Sequence, residues 1–127
     1  MNVLLLNPYR KAGGAEVRQQ LLLREFQKHP AIDEAHFLYI GEPAHQQEGK
    51  VHYWSTTRGM VPKVVKKLIE KFNVEIVQQH NFQEMGTKGV VMAKKLGVPT
   101  IFVAHDYRAL CPQHFMIDVF RAMDVEP

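Results

Sequence analysis

The stretch MNVLLLNPYRKAGGAE, residues 1–16, decides how the rest of the chain is read. Val3 to Leu6 is an unbroken apolar run that ends at Asn7-Pro8. Short runs of this kind mark strands buried on both faces, as in parallel sheets. The run is too short, and lacks the basic leader, for a signal peptide. Gly13-Gly14 then breaks the chain, and a helix is predicted from about Ala15 to Lys28. Val17, Leu21, Leu22 and Phe26 lie on one side of that helix, and Pro30 ends it.

The same alternation continues downstream. Ala35 to Ile40 reads as a second strand, Gly41 to Lys50 as a polar exposed loop, and Val51 to Trp54 as a short third strand. Pro62 sits in the first turn of the next helix, where its missing N–H costs nothing. Val61, Val64, Val65, Leu68, Ile69 and Phe72 recur there at helical spacing, and Lys63, Lys66, Lys67, Glu70 and Lys71 fill the other face. Asn73 closes the helix. A fourth strand is predicted over Val74 to Gln79, a helix over Glu84 to Leu96 stopped by Gly97, and a fifth strand over Thr100 to Ala104. Strands alternating with helices predict an α/β fold. The expected form is a mainly parallel sheet with helices on both faces, in a single domain spanning residues 1–127, which the resemblance given below makes Rossmann-like.

Composition narrows the function. Hydrophobic residues make up 46% and charged residues 23%, which is globular rather than disordered. A net charge of +3 is too mild for a nucleic-acid footprint, and none is expected as a partner. The single cysteine, Cys111, excludes a disulfide framework and a Cys-rich zinc site and makes a reducing, cytoplasmic setting the default. No apolar run approaches the ~18 residues of a membrane span. Lys63, Lys66, Lys67 and Lys71 make a basic helix face. Such faces are usually just solvated; the sharper reading is peripheral contact with an anionic membrane surface or an acidic partner.

In a parallel sheet all strand carboxyl ends share one edge, and ligands bind in the crevice there. The first strand runs into Asn7, the fourth into His80 and Asn81, and the fifth into His105 and Asp106. Polar residues are common at strand ends, but three such groups on one rim favour a site. Gly13-Gly14 lies on the same rim, where glycine permits close approach of the backbone and a helix N-terminus suits a phosphate. Glu16 falls in the first helical turn, a favourable place for a negative charge in any protein. There is no Gly-x-Gly-x-x-Gly after the first strand and no Walker loop, which argues against a dinucleotide cofactor and a P-loop nucleotidase. No acidic residue ends the first strand, which disfavours a phosphoacceptor receiver. Cys111 with His114, and His105 with Asp106, match no zinc spacing, so no metal is expected. Ser55, the only serine, has no nucleophile-elbow context.

Four stretches together resemble the N-terminal half of a GT-B glycosyltransferase of the retaining family 4 type. They are Asn7 to Glu16 with its Gly-Gly-Ala-Glu, Val74 to Asn81 ending in a His, Ala93 to Pro99, and Thr100 to Pro112 with its His-Asp and trailing Cys-Pro. They occur in the family's order and span most of the chain. The resemblance implies transfer of a sugar from a nucleotide-sugar to an acceptor with retention at the anomeric carbon. In such enzymes two Rossmann-like domains face one another; the N-terminal one holds the acceptor and the other most of the donor. By likeness, Gly13 and Gly14 approach the donor diphosphate and His105 lies beside the transferring sugar. Asn7, Glu16, His80, Asn81, Asp106 and Tyr107 become acceptor-side groups. Family members usually need no metal, and no cofactor is expected, since backbone N–H groups can stabilise the leaving diphosphate.

The chain departs from the family in lacking the C-terminal donor-binding domain and its Glu-x7-Glu element. Glu34 and Glu42 have that spacing, but they flank a predicted strand and would stand roughly 25 Å apart. Phe115, Met116, Ile117, Val119, Phe120 and Met123 crowd the last stretch and want a surface to cover. The expectation is a truncated domain or one part of a split enzyme, inactive alone. The alternative is a non-catalytic Rossmann-like module that binds a ligand or partner.

Overall fold

A computed structural model of the chain describes residues 1–10, 13–80 and 85–103, and of residues 13–18 the backbone alone. The chain forms β1 (Asn2–Leu6), α1 (Gly13–Lys28), β2 (Glu34–Ile40), β3 (Ala44–Glu48), β4 (Val51–Thr56), α2 (Val61–Phe72), β5 (Ile76–Gln79), α3 (Lys88–Lys95) and β6 (Thr100–Phe102). A single 3₁₀ turn, Arg58–Met60, leads into α2. The strands make one mixed sheet in the order β3-β4-β2-β1-β5-β6. Every pairing is parallel except that of β3 with β4.

β1 lies inside the sheet, between β2 and β5, and Leu4, Leu5 and Leu6 have no exposed surface. That explains its unbroken apolar run. Side chains alternate along each strand, and two core clusters result. In one, Leu4, Leu6, Leu38 and Val77 meet Val61, Val65, Leu68 and Ile69 of α2 and Ala93 of α3. In the other, Val3, Leu5, Ala35, Phe37, Val51 and Tyr53 meet Leu23 of α1. α2 ends as expected: Asn73 adopts the left-handed conformation (φ 51) and its N–H donates to the Ile69 carbonyl.

Four readings need correction. The stretch Gly41 to Lys50, expected as a loop, contains the antiparallel edge strand β3. All its residues are exposed, so it has no core face and no apolar pattern to reveal it. Its polar composition suits an edge that must not recruit another strand. Gly49, at φ 60, forms the tight turn into β4. The second correction is that Gly13 and Gly14 do not precede the first helix but open it. The third is that the helix expected from Glu84 begins only at Lys88, because Gly86 takes a positive φ of 67 just before it. Glu84 itself falls outside the described residues. The fourth is that β5 starts at Ile76 rather than Val74, and β6 ends at Phe102; Ala104 is not among the described residues.

Candidate functional site

The carboxyl ends of β1, β2, β4, β5 and β6 lie along one edge, since all five are mutually parallel through their pairings. Leu6 of β1 pairs with Gln79 of β5, so Asn7 and His80 follow directly from partnered residues. The His80 N–H donates to the Leu6 carbonyl at 3.0 Å, and the Asn7 N–H to the Leu38 carbonyl at 3.2 Å. Asn7 therefore continues the sheet at its centre. Its side chain is fully buried, and neither its amide nitrogen nor its carbonyl oxygen has a hydrogen-bond partner among the described residues. His80 is also buried. Gly13 and Gly14 form the first turn of α1, the helix that follows β1. Glu16 lies on the same first turns by backbone position. Asn81, His105, Asp106 and Tyr107 lie outside the described residues, as do Cys111 and the apolar tail. Val103, the last described residue, donates to the Gln79 carbonyl, so the chain leaves β6 beside the end of β5.

Sequence reasoning missed several residues at this edge. A cavity of about 480 Å³ lies where the first turns of α2 and α3 approach one another, lined by Arg58, Pro62, Met85, Gly86, Thr87 and Lys88 among others. Neither helix has a side-chain cap or an acidic residue in its first turn. Two cations, Arg58 and Lys88, thus border one space beside the start of α3, which favours an anion. The Gln79 side-chain amide donates to the Gly86 carbonyl at 2.6 Å and ties this loop to β5. Gln19 of α1 is a second fully buried amide with no hydrogen-bond partner among the described residues. No motif spacing marks these residues; the meeting of two helix starts is a product of the crossovers. The loop after β1 is held by Arg10, whose guanidinium lies 4.0 Å from the Tyr53 ring centroid and 3.7 Å from Glu48. Burial, with the Glu48 charge next, pushes the Tyr53 hydroxyl up, against the pull of Arg10.

A second polar cluster occupies the opposite, amino edge. Glu34 and His36 lie two apart on one face of β2, and His36 is the register partner of His52 on β4. The two imidazoles stack at 4.6 Å, and His45 of β3 stacks on both His52 and Trp54. His36 Nε2 lies 3.2 Å from Glu34, and the Trp54 indole N–H donates to His36 Nδ1 at 3.1 Å. Indole is a donor only. His36 Nδ1 must therefore accept, which places its proton on Nε2, facing Glu34. Burial first, then the neighbouring His52, push His36 down to about 4, although Glu34 pulls the other way. Burial also lowers His52.

No helix among the described residues is long and apolar enough to cross a membrane. No protein-family model and no curated protein matches the chain.

Proposed function

We propose that this chain is the acceptor-side, Rossmann-like domain of a retaining glycosyltransferase of the GT-B type, and that it needs a donor-binding domain to turn over. One observation carries the reading: a fully buried Asn7 carboxamide, with both polar atoms unpartnered among the described residues, at the central carboxyl edge of the sheet. An unpaired buried amide costs about 1–3 kcal/mol, and a hydroxyl-rich acceptor would supply both a donor and an acceptor to it. His80 beside it and the Gly13-Gly14 helix start extend the same edge. The two core clusters, one with α1 and the other with α2 and α3, support a sheet wrapped by helices on both faces. The resemblance of residues 7–16, 74–81 and 93–112 supplies the chemistry. In that chemistry the sugar's anomeric carbon passes to an acceptor oxygen as the nucleoside diphosphate leaves. Gly13 and Gly14 would lie against the diphosphate, and His105 beside the transferring sugar. His80, Asn81, Asp106, Tyr107, Asn7 and Glu16 would orient the acceptor.

Amide chemical-shift mapping tests the proposal. Nucleotide-sugars and short sugar acceptors, titrated to millimolar levels, are expected to perturb Asn7, Gly13, Gly14 and His80 together. Perturbations confined to other edges, or none with any sugar or nucleotide-sugar, would overturn it.

A further inference from the structure

We propose that Glu34, His36 and His52 form a binding site for a divalent transition-metal ion of the zinc class, at the amino edge of the sheet and away from the carboxyl-edge site. The backbone brings the three donors together. Glu34 and His36 are two apart on β2 and so share a face, and His52 sits opposite His36 on β4. One ligand atom from each lies within 4.8 Å of the others. His36 Nε2 is 3.2 Å and His52 Nε2 is 4.0 Å from the two Glu34 oxygens. A tetrahedral ion with bonds of about 2.0–2.1 Å spaces its donors roughly 3.4 Å apart. Closure needs a shift of about an ångström and a tilt of the two stacked rings toward one another. Glu34, whose side chain is 39% exposed, has the freedom to move.

A separate observation points to a ligand here. His52 is 6% exposed, and its Nε2 has no hydrogen-bond partner among the described residues although it is buried. Its other nitrogen, Nδ1, is 2.9 Å from His45 Nε2. With the proton on Nδ1 and donated to His45, the Nε2 lone pair is left for a metal. His45 thereby takes the place of the carboxylate, carbonyl or water that usually supports a ligating histidine. Two imidazole nitrogens and one carboxylate suit zinc and its neighbours; magnesium and calcium prefer oxygen alone. The exposed side of Glu34 leaves the fourth position to water.

Trp54 opposes the ion. Metal on His36 Nε2 drives the imidazole proton to Nδ1, where it meets the Trp54 indole N–H head-on. Trp54 must turn away for the site to close. It is the only tryptophan in the chain, so its emission reports the event directly.

The test uses the untagged 127-residue chain with zinc chloride at pH 7.5, followed by calorimetry and Trp54 fluorescence. One zinc per chain is expected, with a change in emission at the same stoichiometry. Glu34→Gln and His52→Ala should each weaken binding by at least about tenfold. Trp54→Phe, which removes the opposing donor, should tighten binding by calorimetry, and magnesium should not bind. Glu34 is at the surface, so its variant remains informative if His52→Ala does not fold. His29→Ala, at an exposed position elsewhere, should bind as the parent does. The proposal is overturned by the absence of zinc binding at about 1 mM. It is equally overturned if Glu34→Gln leaves the affinity unchanged, or if His29→Ala abolishes binding.

Discussion

A proton added to His36 has nowhere comfortable to go. Nε2 already carries one, and Nδ1 faces the Trp54 indole N–H. The charge would also sit in a fully buried ring, stacked on His52 with His45 beyond, and with Glu34 as the single anion in contact with it among the described residues. The folded-state value of about 4 lies below the usual histidine value near 6.5. Stability from a neutral His36 is therefore fully present above about pH 6.5 and is lost as the pH falls toward 4. Between pH 7 and 5 the loss is about 2 kcal/mol, and lowered protonation of His52 acts in the same direction. Urea denaturation in the presence of a chelator should show this slope, and His36→Leu should flatten it. A stability that does not change between pH 7 and 5 would contradict the buried, neutral assignment. Asn7 gives the opposite kind of test. Its unpartnered amide is a standing cost, so Asn7→Leu should raise thermal stability, by about 1–2 kcal/mol, while weakening any sugar response at that edge. Destabilisation by this substitution would mean that the amide has a partner and is no ligand site.

α3 approaches α2 and β1 through Gly89. A Cβ there would lie 3.1 Å from Leu6, 3.2 Å from Val61 and 3.3 Å from Val65, all side-chain atoms in a closed core. Gly89→Val adds a branched group where even one carbon is tight. It should destabilise the chain by about 1–3 kcal/mol, seen as a lower denaturation midpoint; an unchanged midpoint would mean that α3 packs more loosely than these distances allow. The sequence displays Gly89 as an ordinary helix glycine, because close approach is set by the neighbours and not by the residue. The same limit explains what was legible and what was not. β1 and α2 stand out because their burial is continuous or periodic: four apolar residues in a row, or Val61, Val65, Leu68 and Ile69 on one side. β3 is silent because an exposed edge strand, held by backbone pairing with β4 and by surface contacts such as the His45 stack on Trp54, carries no apolar pattern. The carboxyl edge was readable because strand ends announce themselves at Asn7 and His80. The Glu34, His36 and His52 cluster was hidden, since only the β2–β4 register brings positions 36 and 52 face to face.

The sheet order puts α2 where its two faces do different work. Val61, Val65, Leu68 and Ile69 are buried against the core, and Lys63, Lys66, Lys67 and Lys71 are all exposed. Glu70 is the only acid among these lysines along the helix. On the acceptor-side reading, the isolated chain mixed with nucleotide-sugars and acceptors should show no appreciable turnover, because leaving-group stabilisation is divided between two domains; robust transfer by the chain alone would refute that division. The lysine face adds a question of where such a domain would work. Basic residues near an anionic bilayer contribute about 1 kcal/mol each, and salt screens them over about 10 Å at 0.1 M. Co-sedimentation with phosphatidylglycerol-containing vesicles should therefore be strong at low salt and fall as sodium chloride rises, with no binding to neutral phosphatidylcholine. Replacing Lys66 and Lys67 together by Gln should weaken binding by roughly tenfold or more with an unchanged denaturation midpoint, since neither side chain touches the core. Binding that ignores salt, or survives the double substitution intact, would mean that this face is only solvated and that any acceptor is met in solution.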